Sequence, residues 1–272
     1  MSIGQADKGL VYSELQGDTL RLTLNRPQRH NALVPELLKA LNQHLQEAQR
    51  LQPRCLVLAA AGRTFSTGGD VQAFYEVPRS QRPAYARALV GDLHEAMLRL
   101  IQLPCPVVAR VQGMVTGGSC GFLLASDLVA MHQDAHLAPW YTVVGFTPDG
   151  GWSTLMADCI GRHRTLAVHL LNRPITAQEA VNWGLADAAL PSTEALDKTL
   201  ADWTAQLVVR AGTATQTTLT RLRPSAEQVR EWLDTELEDF VAQIGTAEAE
   251  RRMQRFLGKT TAHPDEADHG TV

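Results

Sequence analysis

An α/β layered domain with largely parallel strands and a helical C-terminal appendage is the fold class this sequence predicts. Three observations predict it. Strand and helix signals alternate through the first two thirds of the 272-residue chain. The segments "RCLVLAA" and "PVVARVQG" are short continuous apolar runs, the look of strands buried on both faces. Beyond Pro191 the segments are helical and have no strand partners. These patterns divide the chain into a core over residues 1–190 and a helical region over 191–259, followed by a tail over 260–272. The polar composition of that tail, "TTAHPDEADHGTV", predicts disorder.

Each element has a local reason. Thr19–Asn25, "TLRLTLN", sets Leu20, Leu22 and Leu24 against Thr and Arg, the period of a half-buried strand. "PELLKALNQHLQEAQR" opens on Pro35, suited to a first helical position, and puts Leu37, Leu38, Leu41 and Leu45 on one face. The run Arg54–Ala60 then feeds a glycine-rich loop, "AGRTFSTGGD". A long helix is expected over Pro83–Leu103, with Ala86, Val90, Leu93, Met97, Leu100 and Ile101 as its apolar stripe. "PVVARVQG" leads into a second glycine-rich turn and the apolar "CGFLLAS", and "DLVAMH" and "AHLAP" read as further strands. "TAQEAVNWG" carries a capping box, Thr176 with Glu179, and Gly184 stands where a C-terminal glycine belongs. The helices that follow have exposed apolar stripes, which makes the appendage a candidate oligomer interface.

Composition excludes several classes. The net charge of −4, with its charges scattered, offers no basic face for nucleic acid. No apolar run approaches the ~20 residues of a membrane span. The start "MSIGQADKGLVYSEL" lacks the pattern of a secretory signal. Cys55, Cys105, Cys120 and Cys159 are widely spaced with no C-x-x-C, which predicts reduced core thiols in a cytoplasmic protein and no zinc site. Neither G-x-G-x-x-G after the first strand nor a P-loop is present.

"GGSCG" matches the G-x-S-x-G nucleophile elbow of serine hydrolases. A triad would need a histidine on a late ordered loop. His132, His136, His163 and His169 lie in strand- or helix-like segments, His263 and His269 lie in the tail, and no H-G-G-G loop precedes the serine. Ser119 is therefore read as a small residue in the first turn of a helix.

The two glycine loops share a design, a buried strand followed by paired glycines. Gly117 and Gly118 lead into a helix start, where unpaired N–H groups point outward. Two such loops can aim one N–H each at a single oxygen and so stabilise an oxyanion or enolate. Tight turning alone explains either loop taken singly.

"LNRPQRHNAL" (Leu24–Leu33), "FSTGGDVQAF" (Phe65–Phe74), "VQGMVTGGSCGFLLASDLV" (Val111–Val129) and "GFTPDGG" (Gly145–Gly151) resemble, in order and spacing, the crotonase superfamily of enoyl-CoA hydratases and isomerases. "NRPITAQEAVNWGLAD" and "RRMQRFLGK" are similar to its later segments, so the resemblance spans about residues 10–260. It implies a β-β-α spiral core and a helical C-terminal region that trimerises, often into a hexameric dimer of trimers. It implies an acyl-CoA thioester as substrate, with CoA as part of that substrate and no other cofactor. By motif position, the N–H groups of Gly69 and Gly118 would form the oxyanion hole. Arg29 to Ala32 and Thr67, Gly69, Asp70 and Val71, with Met114 and Gly117 beside them, would hold the CoA. Phe256 and Lys259 match the aromatic and the cation that the C-terminal helix of the family brings to CoA.

The resemblance also narrows the reaction. The two hydratase glutamates would fall on Gly121 and Tyr141, which argues against ordinary hydration. The acidic residue of enoyl-CoA isomerases falls on Asp149, which would shuttle a proton from the α-carbon to the γ-carbon of an enolate. Without the resemblance, Asp149 reads as the N-cap of a helix over "GGWSTLMADCIG". His94 falls on the apolar face with Val90, Met97 and Ile101 and should point inward. It also matches the catalytic histidine of 4-chlorobenzoyl-CoA dehalogenase, which implies a second reading with Asp149 as nucleophile and His94 as base. A CoA-binding scaffold without catalysis is a third.

Overall fold

The computed structural model describes residues 9–259. The expected disordered tail lies outside the described residues. The chain opens with β1 (Val11–Gln16) and β2 (Thr19–Leu24), followed by α1 (Pro35–Leu51) and β3 (Cys55–Ala60). After the first glycine loop come α2 (Val71–Glu76) and α3 (Arg82–Gln102), then β4 (Val107–Val111) and β5 (Met114–Thr116). The second glycine loop is a 3-10 turn over Gly117–Cys120 that runs into α4 (Gly121–Leu124). Next are β6 (Leu128–His132), β7 (His136–Ala138), α5 (Tyr141–Val144), α6 (Leu155–Ile160) and α7 (Arg162–Leu170). The core closes with β8 (Ile175–Thr176), α8 (Ala177–Trp183) and β9 (Ala188–Leu190). The helical region is α9 (Thr193–Arg210), α10 (Thr213–Leu222), α11 (Ala226–Ile244) and α12 (Ala247–Phe256).

The main sheet runs β1-β2-β3-β4-β6-β9. β1 pairs antiparallel with β2, and every later pair is parallel. Every residue of β3 and β4 is buried, as continuous apolar runs require when both faces are covered. A second sheet, β5-β7-β8, stands apart from the first. Its strands have two or three residues each; β7 falls within the expected strand "AHLAP", and β5 and β8 are too short for any periodicity to announce them. The capping box at Thr176 forms, and Gly184 ends α8 in the left-handed region at φ 81.

α1 buries Leu37, Leu38, Leu41 and Leu45 completely against α3. α11 lies along the other side of α3, and its Val229, Leu233, Phe240 and Ile244 join the same apolar core as Leu22 and Leu93. Of the C-terminal helices, α11 and α12 thus complete the core that holds the two glycine loops, while Leu200 of α9 packs separately with Cys55, Val57 and Val108. Cys55, Cys105 and Cys120 are buried free thiols, but Cys159 near the end of α6 is exposed, so the core-thiol expectation fails for it.

Candidate active site

The two glycine loops meet because glycine lets them. Ser66 and Val115 form a parallel bridge, with Ser66 N–H donating to the Met114 carbonyl and Thr116 N–H to that of Ser66. Gly68 sits at φ 69, and a Cβ there would stand 2.5 Å from the Thr116 carbonyl oxygen. Only a residue without a side chain allows that approach. Gly69 follows, and among the described residues its N–H has no backbone acceptor. Gly118 occupies the second position of the 3-10 turn, where N–H groups have no intrahelical partner. The Ser119 hydroxyl is buried and donates to the carbonyls of Thr116 and Ser66, so it ties the loops together and reaches no open space.

Both glycines open into a cavity of about 290 Å³ whose wall is almost entirely apolar, including Leu93, Phe74, Phe146 and Phe240. Asp149 is the only carboxylate on that wall among the described residues. Its Oδ1 lies 2.6 Å from where a Cβ of Gly118 would be, so the carboxyl stands over the second glycine loop. It is not an N-cap, because α6 begins only at Leu155 and residues 150–154 form turns. The Tyr141 hydroxyl donates to Asp149 Oδ1 at 2.5 Å and is within 2.9 Å of its carbonyl oxygen. Burial pushes the Asp149 carboxyl up to about 7; the Tyr141 hydrogen bond pulls it down and the nearby charge of Glu236 adds to the rise. Burial and Asp149 push the Tyr141 hydroxyl well above its ordinary value, which keeps it a donor.

The turn after Asp149 is held from two sides. Gly150 at φ 65 would place a Cβ 2.6 Å from the Gly118 carbonyl oxygen, so this turn and the second glycine loop touch backbone to backbone. Gly150 N–H faces His94 Nε2 at 3.5 Å. Glu236 on α11 accepts from Gly151 N–H at 2.7 Å, from Ser153 N–H at 2.9 Å and from the Ser153 hydroxyl. Glu236 went unnoticed in the sequence. The signal was there: it sits on the apolar face of α11 between Leu233 and Phe240, where a glutamate is out of place.

His94 does point inward, but it does not line the cavity. Its Nε2 faces the Gly150 amide, its Nδ1 has no hydrogen-bond partner, and burial lowers its pKa to about 3. A neutral imidazole behind the turn is the result.

Most of the remaining predicted residues line one of two adjoining spaces. Thr67, Val71, Met114 and Gly117 line the cavity, and Trp152 Nε1–H donates to the Gly117 carbonyl at 2.8 Å. Arg29, Ala32 and Asp70 line an adjoining groove that shares Thr67, Gly69, Val71 and Phe256 with the cavity. Asp70 caps α2 through Ala73 N–H and takes hydrogen bonds from Arg26 and Arg29. Burial raises its pKa, but the two guanidinium hydrogen bonds outweigh burial and hold the carboxyl below its ordinary value. Phe256 meets the Trp140 ring edge-on at 5.9 Å on the cavity rim. Lys259 lines neither space; its ammonium lies 4.5 Å from the centre of the Tyr75 ring.

Two open amides, one carboxyl and an apolar wall are what a bound carbonyl with an apolar substituent requires. A family model described as enoyl-CoA hydratase/isomerase matches residues 14–266, and the chain belongs to that family. It is 28% identical over 252 residues to 1,2-epoxyphenylacetyl-CoA isomerase of Escherichia coli (strain K12), covering 92% of this chain and 90% of that one. It is 26% identical over 246 residues to 4-chlorobenzoyl coenzyme A dehalogenase-2 of Arthrobacter sp, covering 89% and 87%. A solved enoyl-CoA hydratase from Bacillus halodurans superposes with a TM-score of 0.86 over 91% of this chain and 100% of that one. At 24% identity that likeness is one of fold.

Proposed function

We propose that the protein processes acyl-CoA thioesters as an enoyl-CoA isomerase, moving a double bond from C3 to C2 by proton transfer through Asp149. The observation that carries this reading is the placement of the Asp149 carboxyl over Gly118, on a wall with no other carboxylate among the described residues. The thioester oxygen would sit between the N–H groups of Gly69 and Gly118. Ionised Asp149 takes the α-proton, and the electrons of that C–H bond form the enolate whose charge the two amides hold. The protonated carboxyl then gives its proton to the γ-carbon, the charge collapses back through the carbonyl, and conjugation results. A carboxyl with a pKa of about 7 is matched to both halves of that shuttle at neutral pH. The groove at Arg29, Ala32 and Asp70 would take the CoA arm, with Phe256 at the junction.

Hydration by a glutamate pair has little to support it here. A Cβ on Gly121 would stand 2.5 Å from Met97 Sδ and 2.8 Å from the Gly150 carbonyl oxygen, so a glutamate has no room. The second hydratase position is Tyr141, whose hydroxyl is committed to Asp149. The dehalogenase-like alternative needs a base that reaches water beside Asp149, and His94 behind the turn gives it no support. The exposed Leu170, Leu171, Val209 and Leu222 support association of copies into a trimer or a dimer of trimers, which sedimentation measures directly.

The test is to supply a cis-3-enoyl-CoA and follow the absorbance of the conjugated 2-enoyl thioester. Conversion by the native protein and its loss in Asp149→Asn is the expected result. Equal conversion by both removes Asp149 from its role. No conversion by the native protein overturns the isomerase reading, and halide release from 4-chlorobenzoyl-CoA is then the next assay.

A further inference from the structure

Glu236 is a carboxylate in a place where the fold has no need of one. It sits on α11, 4% exposed, on a face otherwise made of Val229, Leu233, Phe240 and Ile244. An apolar residue there would extend the core without desolvating a charge. Instead the carboxyl reaches across to the turn that follows Asp149 and takes up Gly151 N–H, Ser153 N–H and the Ser153 hydroxyl. That turn needs outside support. Gly150 and Gly151 both adopt left-handed backbone, at φ 65 and φ 82, and glycine is the residue most easily released from any one conformation. The α6 helix that could have anchored the turn starts only at Leu155.

We propose that Glu236 is a positioning residue for proton transfer at Asp149, fixing from the C-terminal helical region the turn that aims the Asp149 carboxyl over Gly118. The proposal rests on the isomerase reading for its kinetic consequence and on geometry alone for its structural one. His94 and Glu236 together meet three amides of the turn: His94 faces Gly150, and Glu236 holds Gly151 and Ser153. Glu236 also acts through its charge. The titratable groups around Asp149 and the turn that follows it are Tyr141 from α5, Cys120 from the 3-10 turn, His94 from α3, which meets Gly150, and Glu236 from α11. Tyr141 and Cys120 are held protonated, and His94 is neutral, so Glu236 is the one of these four that can carry charge at neutral pH. Burial raises the pKa of Glu236, its three donors oppose that rise, and Asp239 on its own helix adds to it. A negative charge at Glu236 disfavours a second one at Asp149 and favours the protonated carboxyl that the second half of the shuttle uses.

Glu236→Gln keeps the shape and removes the charge; Ser153→Ala removes one donor and leaves the carboxylate. In a cis-3-enoyl-CoA assay, Glu236→Gln is expected to lower kcat by tenfold or more with KM changed less than threefold. The acid limb of its kcat/KM profile is expected to move to lower pH by about half a unit or more. Ser153→Ala should lower kcat less and leave the acid limb in place. A purely structural glutamate would lower thermal stability in Glu236→Gln and leave both kcat and the acid limb where they were, and that result overturns the proposal. A second readout needs no activity: the carboxyl carbon of Asp149, titrated by NMR in protein labelled at aspartate and assigned by its loss in Asp149→Asn. The titration should move to lower pH in Glu236→Gln. If that shift appears while the native protein converts no 3-enoyl-CoA, the isomerase reading falls and the role of Glu236 at Asp149 stands. If the titration is unmoved, the proposal falls whatever the activity.

Discussion

Asp70 and Asp149 make a controlled pair. They are 7% and 6% exposed, each follows a glycine-containing loop, and each is hydrogen-bonded to a neighbouring side chain. Yet Asp70 is held below the ordinary carboxylate value and Asp149 is raised to about 7. The difference is in the partners. Asp70 has two guanidinium groups and the first turn of a helix, all of which favour the charge. Asp149 has one phenol, an apolar cavity and a glutamate on the far side of its turn. Burial pushes both carboxyls up, and only Asp70 has cations close enough to reverse it; on the proposed reading that difference leaves Asp70 to architecture and Asp149 to proton transfer.

Three substitutions break or sharpen this contrast. The largest effect is on turnover: Asp149→Asn should lose about 10²–10⁴ of the isomerisation rate, measured as conjugated thioester formed per second. The same variant should gain stability. A carboxyl raised from 3.8 to about 7 in the folded state leaves its cost absent at low pH and fully present above pH 7. That cost is on the order of 4 kcal/mol. The thermal midpoint of Asp149→Asn relative to the native protein should therefore rise between pH 4 and pH 8, and a constant difference would show that Asp149 is not raised.

Next comes Tyr141→Phe, which removes the hydrogen bond that lowers the Asp149 pKa. The acid limb of kcat/KM should move to higher pH, with about a tenfold loss at pH 7. Asp70→Asn should give the smallest effect and the opposite sign. Its folded value lies below the unfolded one, so its contribution is present above pH 4 and fades as pH falls below that. The loss at pH 7 should be about 1 kcal/mol, because the Arg29 side chain is 51% exposed and its share is screened by water. Destabilisation that grew toward pH 3 would overturn that assignment.

The sequence announced some of this and hid the rest, for physical reasons. β3 and β4 were legible because strands covered on both faces are apolar along almost their whole length, Arg110 being the one charged residue between them. The capping box of α8 was legible because its hydrogen bonds are local. The paired glycines of both loops stood out in the sequence, and it was the family resemblance that singled out Gly69 and Gly118 among them. Three things were not legible. β5 and β8 are too short to carry a period, whereas β7 lies within the expected strand "AHLAP". The separation of His94 from the cavity turns on which side of a packed turn the ring falls, and a helical stripe does not encode that. Glu236 meets its partners 83 and 85 residues earlier in the chain, so its role exists only after folding.

The crowding around Gly121 sets the order in which this site could change its chemistry. A side chain there meets Met97 Sδ at 2.5 Å and the Gly150 carbonyl at 2.8 Å. Met97 is a flexible thioether that a smaller residue could replace, whereas Gly150 is main chain, pressed against the second glycine loop. A laboratory lineage selected for water addition would have to shrink Met97 first and rebuild the 150–153 turn second, and only then would an acid at position 121 be tolerated. An acid introduced first would be discarded as a folding failure before any new activity could be selected. On the proposed reading, the site is thus insulated from a glutamate-pair hydratase by the sequence of steps that separates the two, as well as by the residues themselves.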